Sequence, residues 1–192
     1  MKRIIAVVIL AVMVAVLGFA GPAQAAEYTH YAYLTGYTYW DNTPPGTAAI
    51  SHPVIHTQAA GTGTFNDPIT LAVGHSMASG NDVIDISPGI KFYMVSLQKY
   101  FIVEDTCGDG PHPENGPCHT NVDEPGYPQY DMWIDGKNAP SDARARSNWC
   151  AEFHTGIHKV IKYPANNYVV RTGPVMGTTC AKAYGETPIK VS

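Results

Sequence analysis

Glycine and proline constrain this chain more than any other residues. There are 18 glycines and 15 prolines in 192 residues, and they recur along the whole length. Proline removes a backbone donor and fixes φ, and glycine weakens helix and strand interiors alike. The chain is thereby cut into short elements, and the pattern predicts an all-β domain with long loops and one short helix. Strands are expected at Tyr28–Trp40, Pro68–Val73, Lys91–Val95, Tyr100–Glu104, Tyr130–Ile134, Ile157–Tyr163 and Tyr168–Arg171. The segment Asn42-Thr43-Pro44-Pro45-Gly46 must be a loop, since two prolines remove two ladder donors. Cys107–Tyr127 reads as one long irregular loop, and Ser87-Pro88-Gly89 as a turn. Ser141–Phe153 is the expected helix, with Ser141 as its cap.

The N-terminus sets the expected compartment. Lys2 and Arg3 precede an unbroken apolar run from Ile4 to Leu17, and Ala23-Gln24-Ala25 has the small-x-small form of a cleavage site. Residues 1–25 therefore read as a signal peptide, because the apolar run is shorter than the roughly 20 residues a membrane span needs. Residues 26–192 read as a single exported domain that includes a C-terminal extension. Cleavage would leave ten basic residues against 16 acidic ones, with no basic run. Nucleic acid and anionic membranes are excluded as expected partners, because both require clustered Lys and Arg. A monomer without a cofactor is expected, and a neutral polysaccharide suits such a surface.

All four cysteines fall in the exported part. Disulfides are the expected state in an oxidising compartment, and three pairings are open. Cys107–Cys118 with Cys150–Cys180 is favoured, since the first pair closes a Gly/Pro-rich loop. The competing arrangement is a zinc site with His112 and His119, against which the absence of a close Cys-x-x-Cys pair argues. His52 and His56 are four apart, but the prolines around them oppose a helix that would align them. His30 is not the first residue of the exported chain, so no N-terminal copper ligand is available. No metal is expected. Gly61-Thr62-Gly63-Thr64 lacks the ending of a phosphate loop and reads as a turn.

Three acids adjoin strand-like sequence: Asp41, Asp105 and Asp131. A carboxylate at such a position is costly unless it is hydrogen-bonded or lies in a cleft, which makes all three candidate catalytic residues. Tyr37, Tyr39, Trp40 and Trp133 are candidate sugar-stacking residues, the alternative being core. Trp149, next to Cys150, reads as packing.

Two segments carry a resemblance, Val103-Glu104-Asp105-Thr106-Cys107-Gly108 and Tyr130-Asp131-Met132-Trp133-Ile134-Asp135-Gly136. They are similar to segments of the double-psi β-barrel superfamily, which includes expansins, barwin-like proteins, family 45 glycoside hydrolases and the rare lipoprotein A type of lytic transglycosylase. A closer likeness is to small secreted barrels that share, in this order, the stretches found here at Asp41–Gly46, Gly61–Thr70 and Pro88–Phe92. The resemblance implies a six-stranded double-psi β-barrel. It implies Asp131 as the acid and Asp41 as the base of an inverting hydrolase, while the Asp used by the transglycosylase-like members aligns best with Asp105. The leading expectation is a secreted, expansin-like barrel that binds or remodels cell-wall polysaccharide without strong hydrolysis. One alternative is a glycan-cleaving enzyme using Asp131 with Asp41 or Asp105. Another is a protein-binding module that presents the Cys107–Cys118 loop to a secreted protease.

Overall fold

The computed structural model describes residues 25–139 and 142–191. The expected leader up to Gln24 and the expected cap Ser141 lie outside the described residues. Strand β1 (Tyr28–Thr38) turns Ala32 and Leu34 inward and leaves Tyr31 and Tyr33 outside, as period-two alternation demands. Strands β2 (Ile69–Ser76) and β5 (Lys99–Cys107) are buried along most of their length. Their apolar stretches, Leu71–Val73 and Tyr100–Val103, run without polar alternation because neighbours cover both of their faces. The remaining strands are β3 (Val83–Ile84), β4 (Lys91–Met94), β6 (Gln129–Asp135) and β7 (Gly156–Lys162). The helices are a single turn α1 (Pro117–Thr120), preceded by a 3-10 turn at Pro113–Asn115, and α2 (Ala143–His154).

The fold is mostly β with minor helix. Following the pairings, β2 joins β5, β5 joins β4, β4 joins β7, β7 joins β1 and β1 joins β6. β6 then pairs back onto β2, so six strands form a closed ring and β3 is added outside it on β2. Two of the pairings, β1–β6 and β2–β5, are parallel, and the other four in the ring are antiparallel. Inward residues fill one core, with Leu34, Leu71, Phe92, Phe101, Met132 and Val160 among its fully buried members.

A second apolar cluster explains the C-terminal segment. Tyr93, Val95, Tyr100 and Ile161 pack with Tyr168 apart from the first core. Tyr93 stacks on Tyr168 at 4.6 Å, and the Tyr93 and Tyr100 hydroxyls donate to the carbonyls of Val169 and Ala165. The buried Lys99 ammonium donates to the carbonyls of Arg171 and Gly173. Residues 163–191 are thus held by side-chain donors and by scattered backbone bonds, such as Arg171 N–H to the Gln98 carbonyl and Met176 N–H to the Ile134 carbonyl, and not by a continuous ladder. This corrects the expected strand at Tyr168–Arg171, where the structure has a single bridge between Tyr168 and Lys190.

Other expectations are adjusted in similar ways. The loop from Cys107 contains two helical turns, and α2 begins at Ala143. Trp149 is 55% exposed and stacks on Phe153 at 5.4 Å, so it does not pack in the core. The disulfides are Cys107–Cys118 and Cys150–Cys180, as favoured from the loop sequence.

Candidate active site cleft

The ring places the three acids through its register. In β6, Asp131 is paired with Thr35 of β1 on one side and with Ala72 of β2 on the other. Ala72 in turn is paired with Asp105 of β5. Thr35, Asp131, Ala72 and Asp105 therefore form a row across four strands. Strands lie about 4.8 Å apart, so the Asp131 and Asp105 backbones are roughly 10 Å apart with only an alanine between them.

A β-bulge makes this row possible. Leu71 faces Val103, but the next residue, Ala72, faces Asp105, which leaves Glu104 as the extra residue. Strict alternation would send Glu104 and Asp105 to opposite faces. With the bulge, Glu104 reaches outward to the Thr70 hydroxyl while Asp105 stands beside Ala72.

Asp41, Asp105 and Asp131 line one cleft of about 460 Å³. Tyr37, Ser51 and Asp109 share its wall, as does Cys107, so the first disulfide is part of the site. No Lys, Arg or His side chain lines it among the described residues.

Each acid is held differently. Asp131 is half-buried and accepts one hydrogen bond, from the Thr35 hydroxyl to Oδ1 at 2.7 Å. Its Oδ2 has no protein donor among the described residues. Burial pushes its carboxyl up to about 7; the Thr35 hydrogen bond opposes this, and the charges of Asp41 and Asp105 add to it. Asp105 is fully engaged: Oδ1 accepts the backbone N–H and hydroxyl of Ser51 and the N–H of Thr106, and Oδ2 accepts the Tyr37 hydroxyl. Burial raises it, and those donors partly offset the rise. The Tyr37 phenol is held far above its ordinary value by burial and by the Asp105 charge beside it. Asp41 is exposed; its Oδ1 accepts the Thr38 N–H and hydroxyl at 2.6 and 2.7 Å. Its Oδ2 has no protein donor among the described residues, and it follows β1 through a tight turn. Asn42, next along, ties that turn by donating to the carbonyls of Thr47 and Ala49.

The aromatic residues separate. Tyr37 lines the cleft. Tyr39 and Trp40 pack edge to face at 5.3 Å outside the lining, with the Trp40 indole N–H on the Gly136 carbonyl. Trp133 is only 3% exposed and packs against Tyr37 at 5.2 Å, so it belongs to the core and presents no free ring face. Alternation puts Trp133 on the Asp131 face, but Tyr37 covers it.

Sequence reasoning missed Ser51, Thr35 and Glu104. No pattern marks Ser51, which comes from a Pro-rich loop 54 residues before its partner. Glu104 was visible beside Asp105, and only the bulge reveals its use. As for metals, Cys150, His154 and Cys180 cluster in the described residues, but both sulfurs are spent in a disulfide.

The family model described as the DDB_G0273701 N-terminal domain matches residues 29–182. The chain belongs to this family. The match encloses Asp41, Asp105, Asp131 and all four cysteines, so the whole cleft lies in the DDB_G0273701 N-terminal domain. The chain is 31% identical over 161 residues to the uncharacterized protein DDB_G0273701/DDB_G0273221 of Dictyostelium discoideum, covering 83% of this chain. It spans 62% of that relative's length. No solved structure matches it.

Proposed function

We propose that the cleft takes a neutral glycan chain and breaks a glycosidic bond with Asp131 as the proton donor. The observation that carries this reading is the state of Asp131, a carboxyl with one protein hydrogen bond, pushed up to about 7 and lying in an open cleft with two other acids. A general acid must hold its proton near neutral pH, and few carboxyls do.

The partner is Asp41. Both Asp105 oxygens are occupied by donors, whereas Asp41 keeps Oδ2 free to take a proton from water. In the proposed step Asp131 protonates the glycosidic oxygen as the C–O bond breaks. Asp41 accepts a proton from the water that attacks the anomeric carbon, and the configuration inverts. Asp105 keeps Asp131 protonated through its charge and fixes Tyr37 at the wall. The closed ring of six strands supports the double-psi reading, and the two disulfides suit an exported, oxidised protein.

The test incubates the protein and Asp131→Asn with cellulose, chitin and peptidoglycan, scoring retention and released sugar. Sugar release that falls at least about 100-fold in the variant is expected, as is typical for loss of a general acid. Wild-type release should also fall as pH rises through about 7, where Asp131 loses its proton. Retention without release would leave an expansin-like binder. Neither retention nor release would overturn the glycan reading and turn attention to inhibition of a secreted protease by the Cys107–Cys118 loop.

A further inference from the structure

A charged network lies behind the cleft, built from motifs that the proposed reaction does not use. His56 sits between two carboxylates. Its Nδ1 is 2.7 Å from Glu104 Oε2 and its Nε2 is 2.9 Å from Asp67 Oδ1. A neutral imidazole has one N–H, so it can donate to only one of the two. Donation at both ends requires the imidazolium.

The two acids tie different loops. Glu104 Oε1 accepts the backbone N–H groups of Val54, Ile55 and His56, and the Glu104 carbonyl accepts that of His52. Asp67 Oδ2 accepts the N–H and hydroxyl of Thr62, which closes the Gly61-Thr62-Gly63-Thr64 turn. The segment clamped by Glu104 begins one residue after Ser51. Ser51 supplies two of the four donors on Asp105. A chain of contacts thus runs from Asp67 through His56 and Glu104 to the ionisation of a cleft acid.

We infer that His56 is a positioning residue for the cleft: bonded at both nitrogens to Glu104 and Asp67, it locks the 52–56 segment so that Ser51 stays aimed at Asp105, and its deprotonation loosens that lock. The titratable groups around it are Glu104 from β5, Asp67 from the loop just before β2 and, on its own segment, His52, whose Nδ1 is 2.8 Å from Ser51 Oγ. The Thr62 and Thr70 hydroxyls complete the surroundings and do not titrate. Burial lowers the affinity of His56 for a proton, but the hydrogen bonds and charges of Asp67 and Glu104 outweigh it, and its pKa is raised overall. The lock is therefore closed below the raised His56 pKa and opens as pH rises through it. This inference concerns the geometry at Asp105 and does not depend on glycan cleavage.

The experiment is a pH titration by NMR of the disulfide-bonded protein, following the His56 ring, the Ser51 amide and the Asp105 side-chain carboxyl carbon. All three are expected to move with one midpoint above that of an ordinary histidine, and Ser51 amide exchange should quicken at least tenfold above it, after correction for the intrinsic pH dependence of exchange. In Asp67→Asn the shared midpoint should drop for all three signals. In His52→Gln it should stay in place. The inference is overturned if Ser51 and Asp105 stay flat while His56 titrates, or if their transition disappears in His52→Gln. Should a variant fail to fold, co-titration in the unmodified protein still decides.

Discussion

Asp131→Asn is expected to melt higher than the unmodified protein at pH 7.5, by about 10 °C, while losing the proposed glycan cleavage. The Asp131 carboxyl is pushed from 3.8 up to about 7 in the fold. Folding therefore favours its neutral form, and the folded state binds the extra proton between those two values. Stability falls as pH rises through that window, and the full penalty is present above about 7. At about 1.36 kcal/mol per unit the penalty is about 4 kcal/mol. Asparagine is neutral at every pH, has nearly the same shape, and still offers a carbonyl oxygen to the Thr35 hydroxyl. A domain of this size gains about 2–4 °C per kcal/mol. The check is a set of melting curves at pH 4, 5.5, 7 and 8.5. The variant's advantage should be near zero at pH 4, grow through the window and level off above 7. An advantage that does not change with pH would mean that Asp131 has the same pKa in the folded and unfolded states and stores no strain. A half-buried acid kept neutral at a cost to stability is what the proposed role as proton donor demands.

Much of this site was legible in the sequence because its determinants are local. Asp105 and Asp131 each adjoin strand residues, and the Cys107–Cys118 pair closes a loop rich in Gly and Pro. Period-two alternation turns Ala32 and Leu34 of β1 inward. What was not legible is what depends on pairing at a distance. The pairing of β6 with both β1 and β2 puts Asp131 beside Thr35 and Ala72, and no local pattern carries that information. The bulge at Glu104 breaks the alternation that sequence reading relies on. Trp133 satisfies the alternation and yet is covered by Tyr37, a tertiary contact. The segment after Tyr163 has no continuous ladder to announce it, since scattered backbone bonds together with Lys99 and the hydroxyls of Tyr93 and Tyr100 hold it to the ring.

Glu104→Ala should be strongly destabilising, and its pattern tests the same buried network from the side of stability. Glu104 is fully buried and partners three backbone N–H groups, the His56 ring and the Thr70 hydroxyl. Burial alone would raise its pKa, but the His56 backbone N–H and ring outweigh that and hold it below its ordinary value. Alanine leaves the imidazolium and the three donors without their acceptor. Removing one member of such a buried pair costs about 3–5 kcal/mol, a large share of the roughly 5–15 kcal/mol that holds a domain together. Glu104→Gln separates the two parts of that loss. Its carbonyl still accepts the backbone donors, but its NH₂ meets the Nδ1–H of the imidazolium, donor against donor. Without the Glu104 charge His56 gives up its proton more readily, and once neutral the ring can accept at Nδ1 and donate to Asp67 at Nε2, so the conflict disappears. In the unmodified protein the dependence runs the other way. The folded pKa of His56 lies above the unfolded value, so its stabilisation is complete below about 6.5 and is lost as pH rises through the folded value. Denaturant midpoints measured from pH 5.5 to 9 should therefore show the Glu104→Gln deficit shrinking as pH rises, with Glu104→Ala lower still across the range. A deficit for Glu104→Gln that is the same at pH 5.5 and pH 9 would show that the proton on His56 takes no part in holding the 52–56 segment against the cleft.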